Sequence, residues 1–175
     1  FDHMAILGDT LAKIAAEKAG IIKHGTALVL ESQKKEAMDV LNKAAERADI
    51  KTTKVVNLDE IRILPQKDGK QCFSYAGYDA VTMKMLGVHQ YENAVAAMLA
   101  AELFFEKYFA GKKNVPERKA LQHAIREGID RTQWMGRMEL VSNDPFFLMD
   151  GAHNSNGVEA LKKSLETMYP DEKFH

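Results

Sequence analysis

The run Phe146-Phe147-Leu148-Met149 breaks off into Asp150-Gly151-Ala152-His153-Asn154 and is followed by a helix-like stretch. An apolar burst bounded by turn residues reads as a buried strand. Its abrupt end in Asp, Gly, His and Asn puts polar side chains at the carboxyl end of a strand. In open α/β sheets that is where ligands bind, and a helix N-terminus favours anions such as phosphate. The feature therefore points to an α/β fold carrying part of a nucleotide site. Asp-Gly is also ordinary turn chemistry, and Asn154 or Ser155 can simply cap the next helix.

Upstream the pattern alternates. Asp9 or Thr10 caps a helix to Ala19, with Gly20 as its stop. Residues 27–30 read as a buried strand, 32–48 as an amphipathic helix and 52–56 as a second strand. That order predicts a parallel pair. Residues 61–64 and 71–75 flank Pro65-Gln66-Lys67-Asp68-Gly69-Lys70, a hairpin signal, and 78–86 supply a third antiparallel strand. An Ala-, Leu- and Phe-rich helix over 90–109 is expected to be buried on most sides. Pro116 opens a helix to Glu127, Gly128 and Gly136 bracket a connector over 129–135, and a short strand covers 138–141. The Phe146 strand and a helix over 158–168 complete the order. A domain boundary is placed near 137–143, dividing the chain into 1–137 and 138–175.

Composition narrows the function classes. Of 175 residues, 46% are hydrophobic and 28% charged, an ordinary globular mixture. A net charge of -1 gives no electrostatic case for nucleic acid or an anionic membrane. No apolar run approaches a membrane span and no signal peptide is visible. The single cysteine, Cys72, forms no internal disulfide, which fits a cytoplasmic location. The opening Phe1-Asp2-His3-Met4 and the closing Asp171-Glu172-Lys173-Phe174-His175 read as cut ends of a larger protein.

Several residues stand where chemistry is done. On the first helix Leu11, Ile14, Ala15 and Lys18 share one face, so Lys18 occupies a core position. A lysine there is paired, deprotonated or chemically changed, unless it snorkels from the last turn. His3 precedes that helix in an apparent loop. In Val88-His89-Gln90-Tyr91-Glu92-Asn93-Ala94, His89 or Gly87 opens the long helix, and Glu92 helps to cap it. Asn93 falls on the face of Ala96, Ala97 and Ala100, where a buried amide needs partners. In Trp134-Met135-Gly136-Arg137-Met138-Glu139, Arg137 can reach a phosphate, or fasten two domains by pairing with Glu139 or Asp150.

Taken in order, DHMAILGDTLAKIAAEKAGIIK, HQYENA, WMGRMELV and LMDGAHNSNG resemble the folylpolyglutamate synthase/dihydrofolate synthase family of the Mur ligase superfamily. The resemblance spans residues 1–162, with the hairpin region 55–85 unsupported. It implies part of a central ATPase domain with an antiparallel hairpin region, and the start of a Rossmann-like C-terminal domain. It also implies an ATP-dependent ligase, using Mg²⁺, that adds L-glutamate to dihydropteroate or folate through an acyl phosphate. The intact protein is then a cytoplasmic monomer with no nucleic-acid or membrane partner. By the same resemblance His3 is a magnesium ligand and Lys18 is carbamylated, becoming a carboxylate-like ligand suited to magnesium. Asn93, Arg137 and Asp150 contact ATP, and His153 is a candidate for the phosphate region.

The departures are specific. No Gly-rich phosphate loop ending in Gly-Lys-Ser or Gly-Lys-Thr is present, and Ser155 stands where the family usually has proline. The magnesium-binding glutamate and the folate-contacting segments are expected upstream of Phe1, and most of the glutamate-binding domain beyond His175. The alternatives are a UDP-muramoyl amino-acid ligase and a non-catalytic module on a decayed ligase scaffold.

Overall fold

The computed structural model describes residues 10–173. His3 and Asp9 lie outside the described residues. In chain order the elements are α1 (Leu11–Ala19), β1 (Leu28–Leu30), α2 (Lys35–Arg47), β2 (Thr53–Val55), β3 (Arg62–Lys67), β4 (Lys70–Tyr75), β5 (Tyr78–Met83), α3 (Gln90–Phe109), α4 (Arg118–Arg131), β6 (Glu139–Asn143), β7 (Phe146–Met149) and α5 (Ser155–Met168). The fold is α/β. It divides into two compact units. One takes the chain up to Leu58 together with Ala96–Ala110, and the other takes Asp59–Val95 together with the chain from Gly111 onward. The boundary expected near 137–143 falls inside the second unit.

The first unit is the expected strand–helix–strand. Thr10 caps α1, its hydroxyl accepting the Lys13 N–H at 3.3 Å. β1 and β2 pair in parallel, Leu28 opposite Thr53 and Leu30 opposite Val55, as a helix crossover requires. Ala37 and Ala45 are the buried positions of α2, and Val56 is almost wholly buried just beyond β2. The stretch of α3 in this unit does not match the expectation of a helix buried on most sides. Phe104 and Tyr108 are exposed with their rings stacked at 5.8 Å, and Ala97 and Ala100 are open to solvent. Lys18 is also exposed rather than buried; with Leu11, Ile14, Ala15 and Ala97 it lines an open, mostly apolar cavity of about 660 Å³. The helical spacing placed it on the apolar face, but that face is only partly covered.

The second unit holds a three-stranded antiparallel sheet in the order β3-β4-β5. Asp68-Gly69 (φ 53° and 72°) and Ala76-Gly77 (φ 44° and 85°) form its two tight turns. Paired positive φ values suit the right-handed twist of the flanking strands, which is why Asp-Gly is a strong hairpin signal. β4 is the central strand. Its Cys72, Phe73 and Tyr75 are buried, and Phe73 meets Tyr91 of α3 edge-on at 5.7 Å. α4 does not stop at Gly128; it runs on to Arg131, so the expected connector is shorter than the glycines suggested. The mid-helix glycine costs only about 1 kcal/mol relative to alanine. The sheet meets that extra turn through Asp130, which accepts two bonds from Lys70 Nζ, at 2.7 and 2.8 Å, and one from Thr82 Oγ1 at 2.6 Å.

β6 and β7 form an antiparallel ribbon, Glu139 opposite Met149 and Asn143 opposite Phe146. The Phe146 run is therefore not a buried strand: Phe147 and Met149 alternate outward and are exposed. α5 starts at Ser155, earlier than expected, because Asn154 caps it by accepting the Gly157 N–H at 2.8 Å.

The Asp130 carboxyl is held below its ordinary value of 3.8 by hydrogen bonds from Lys70 and then Thr82. Its contribution to stability is present above 3.8 and is lost as pH falls through the lower native value. Asp130→Ala is expected to cost about 1 kcal/mol at neutral pH, a modest loss because the site is partly solvated. Thermal melts at pH 7 and pH 3 check this: the difference between native chain and variant shrinks at the lower pH.

Candidate functional site

The antiparallel ribbon explains how two distant stretches meet. Because Glu139 and Met149 are paired, the residues just before β6 and just after β7 emerge at the same end. Asp150 binds the two stretches: its Oδ2 accepts the Met138 N–H and its Oδ1 the Ala152 N–H, each at 2.8 Å. The Gly151 N–H is donated to the Gly136 carbonyl at 2.7 Å, and the Gly136 N–H to Glu139 Oε2 at 2.8 Å. Met138 is almost fully buried with φ 45°, a left-handed conformation that the Asp150 bond helps to hold.

Arg137 lies between these anchored residues and is itself exposed. It pairs with neither Glu139 nor Asp150; Glu139 Oε2 and both Asp150 oxygens accept backbone N–H groups. With Trp134, Lys84 and Met138 it lines an open pocket of about 440 Å³. Trp134 is 70% exposed, which leaves a large aromatic face beside a guanidinium. His153 is exposed and its Nδ1 lies 2.9 Å from the Gly151 carbonyl, so this nitrogen is occupied within its own turn.

The start of α3 belongs to the same unit. Buried Gln71 of β4 donates its amide to the carbonyls of Met85 and Gly87, at 2.9 and 3.1 Å. Ser164 of α5 accepts the Val88 N–H at 3.1 Å and donates its own O–H to the Ala160 carbonyl at 2.7 Å. Gly87 opens the helix, its carbonyl accepting the Gln90 N–H at 3.1 Å. It adopts φ +110°, and a Cβ there would lie 2.8 Å from His89 Cε1 and 2.9 Å from Met138 Sδ. Only glycine fits.

His89 is the titratable centre of this cluster. Burial pushes its pKa below 6.5, opposed by the Asp150 charge, assisted by Arg137 and opposed by Glu92. Its Nε2 meets Gln90 Nε2 at 3.0 Å, and Gln90 Oε1 accepts Asn93 Nδ2 at 3.0 Å. Asn93 is exposed, not buried on a small-residue face.

The structure thus places Asn93, Arg137 and Asp150 in one unit, with Asn93 hydrogen-bonded to Gln90 and His153 on the same turn as Asp150. Lys18 lies in the other unit. His3 is outside the described residues. Among the described residues no group of three His, Cys, Asp or Glu is placed to hold a metal ion. The exposed Arg137 and Asn93, in contrast, are donor-bearing groups suited to a nucleotide. Sequence reasoning treated His89 as a helix opener and passed over Gln90. The available signal was the Gly87 before them: a glycine at a strand-to-helix joint marks close approach, here of an imidazole.

No family model matches the chain. A Bacillus subtilis protein named dihydrofolate synthase/folylpolyglutamate synthase is 33% identical over 99% of the chain. The chain spans 39% of that relative's length, about two fifths. A solved Mycobacterium tuberculosis folylpolyglutamate synthase complexed with ADP is 29% identical, with a TM-score of 0.70 over 91% of this chain and 35% of that one. A solved FPGS–AMPPCP–folate complex has the same fold, at a TM-score of 0.83 and 23% identity over 97% of this chain and 40% of that one. Over almost the whole chain the sequence is similar to proteins named folylpolyglutamate synthase or dihydrofolate synthase, and the fold is that of the solved complex.

Proposed function

We propose that this chain forms part of an ATP-dependent ligase that adds L-glutamate to dihydropteroate or folate through an acyl phosphate. Within it, 1–137 belong to the central ATP-binding domain and 138–175 open the C-terminal ligase domain. One observation carries the nucleotide reading. Arg137 is exposed between residues that the Asp150 carboxylate and the Gly136–Gly151 bond anchor, in the same unit as Asn93. The names of the relatives support it, since one solved relative holds ADP and another AMPPCP with folate. The single buried Cys72 supports a cytoplasmic setting.

In this reading the residues divide the work. Arg137 binds phosphate oxygens by charge-assisted hydrogen bonds. Asp150 holds Met138 and Ala152, and so sets the direction from which Arg137 projects. Asn93 offers a carboxamide to the base, and His153 stands on the turn before the α5 N-terminus, where anions are favoured. The reading also assigns magnesium binding to His3 and to Lys18 as its carbamate.

The roles of Arg137 and Asp150 separate by measurement. In the full-length enzyme Arg137→Ala is expected to raise KM for ATP by the equivalent of about 1.5–3 kcal/mol, one charged hydrogen bond, with the melting temperature unchanged. Asp150→Ala leaves two N–H groups without their acceptor, costing about 1–3 kcal/mol each, and is expected to lower the melting temperature as well. An Arg137→Ala enzyme with unaltered KM for ATP and a reduced melting temperature overturns the nucleotide role.

Two further outcomes follow for the 175-residue chain itself. Without a phosphate loop it is expected to incorporate no glutamate into folate above a no-enzyme control. With Lys18 exposed and no metal-holding group of His, Cys, Asp or Glu among the described residues, intact-mass spectrometry is expected to find the unmodified lysine. An added mass of carbon dioxide on Lys18 contradicts that expectation. In the full-length enzyme Lys18→Ala is expected to abolish turnover.

A further inference from the structure

We propose that the cleft between α4 and the β3-β4-β5 sheet is a binding site for an extended small oligoanion, a ligand carrying several carboxylates or phosphates in a row. The inference is independent of the nucleotide reading, since none of the residues assigned above to ATP or magnesium lines this cleft.

The cleft lies wholly within the second unit and has a volume of about 520 Å³. Lys67 and Lys70 of the sheet line it, with Lys119, His123 and Arg126 of α4. Lys119, Gln122, His123 and Arg126 follow i, i+3, i+4, i+7 spacing, so one face of the helix carries all four. At a rise of about 1.5 Å per residue, the lysine and the arginine stand about 10 Å apart along the axis, with two polar side chains between them. A single small anion cannot touch both ends of that row. A ligand with several anionic groups can.

Most acids of the cleft are already engaged. Asp130 accepts from Lys70 and Thr82, and Glu127 Oε2 accepts from Arg131 at 2.6 Å. Of the lining acids that leaves Asp68, exposed in the hairpin turn. Lys67, Lys119 and Arg126 enter no ion pair among the described residues. Three cations therefore face one carboxylate. On a convex surface such side chains are merely solvated. In a cleft the low-dielectric walls focus their field and raise the local concentration of anions.

The sheet is bent to build one wall. Pairing passes from Phe73–Val81 to Tyr75–Tyr78, so Asp79 and Ala80 together oppose Ser74. Two residues opposite one make a β-bulge, a device that re-aims a strand and is common beside functional sites. Ala80 takes φ 49°, a left-handed conformation strained for alanine. Its N–H is donated to Ser74 Oγ at 3.1 Å, and its carbonyl accepts an Arg126 N–H at 3.3 Å. The strained turn thus holds the guanidinium over the cleft by one of its five donors and leaves the others for a ligand.

The test titrates the 175-residue chain at low salt with inorganic tripolyphosphate, a γ-linked triglutamate peptide and orthophosphate. One or both oligoanions are expected to bind about tenfold more tightly than orthophosphate, the scale of one further charge-assisted hydrogen bond. Tighter tripolyphosphate supports a phosphate-bearing ligand, and tighter triglutamate a carboxylate-bearing one. Amide shifts in the NMR spectrum are expected to move at 67–70 and 119–126. Joint Lys119→Gln and Arg126→Gln substitution is expected to weaken the oligoanion about tenfold. Lys119→Glu alters an exposed side chain that makes no hydrogen bond among the described residues, and is expected to weaken binding with the melting temperature unchanged. Lys113→Gln removes an exposed charge outside the cleft and is expected to leave the affinity unchanged. Oligoanions that bind no tighter than orthophosphate overturn the inference, as does an equal loss in Lys113→Gln. Binding that is lost in Arg137→Ala but kept in the joint variant also overturns it, placing the anion in the neighbouring pocket. The nucleotide reading is decided separately, by the KM for ATP of the full-length Arg137→Ala enzyme.

Discussion

The Asp150 carboxylate is the constraint on which the site depends. It is one side chain accepting two backbone N–H groups, one from its own turn and one from before β6. Hydrogen bonds to a charged acceptor are roughly twice as strong as neutral ones. Here they close the end of a short ribbon whose register already brings the two stretches side by side. The left-handed Met138 follows from that closure, and so does the outward direction of Arg137. Remove the carboxylate and the guanidinium loses its mounting before any ligand is considered.

Much of the architecture was legible because local chemistry and fold agreed. Gln90–Phe109, the parallel β1–β2 pair, the Asp68-Gly69 hairpin and the Asn154 cap all follow from short-range rules. What was not legible depended on pairing or coverage. Phe146-Phe147-Leu148-Met149 has the composition of a buried strand, yet among the described residues β6 is the only strand paired with it, and half of it stays exposed. Helical spacing placed Lys18 on the apolar face of α1, but spacing does not reveal what lies opposite. Gly128 reads as a stop and is instead carried through, because the next turn holds Asp130 against the sheet.

The site divides the same way. Arg137 and Asp150 were identifiable as motif residues, while their relation was not: the sequence suggested an ion pair, and the geometry spends the carboxylate on backbone instead. His89 and Gln90 gave little signal of their own. A histidine and a glutamine at a helix start are ordinary, and only the packing of Gly87, His89 and Met138 makes them a unit.

That packing has a consequence for how the sequence can drift. At Gly87 any side chain is both strained and in collision, with an imidazole on one side and a thioether on the other. No single replacement at position 87 relieves both. A side chain at 87 has to displace the ends of two others, at 89 and 138, and changing those two does not relieve the strained φ. Gly87 stands at the joint that leads into α3, where a substitution is strained whatever the space. The first turn of that helix is fixed by the absence of one carbon atom.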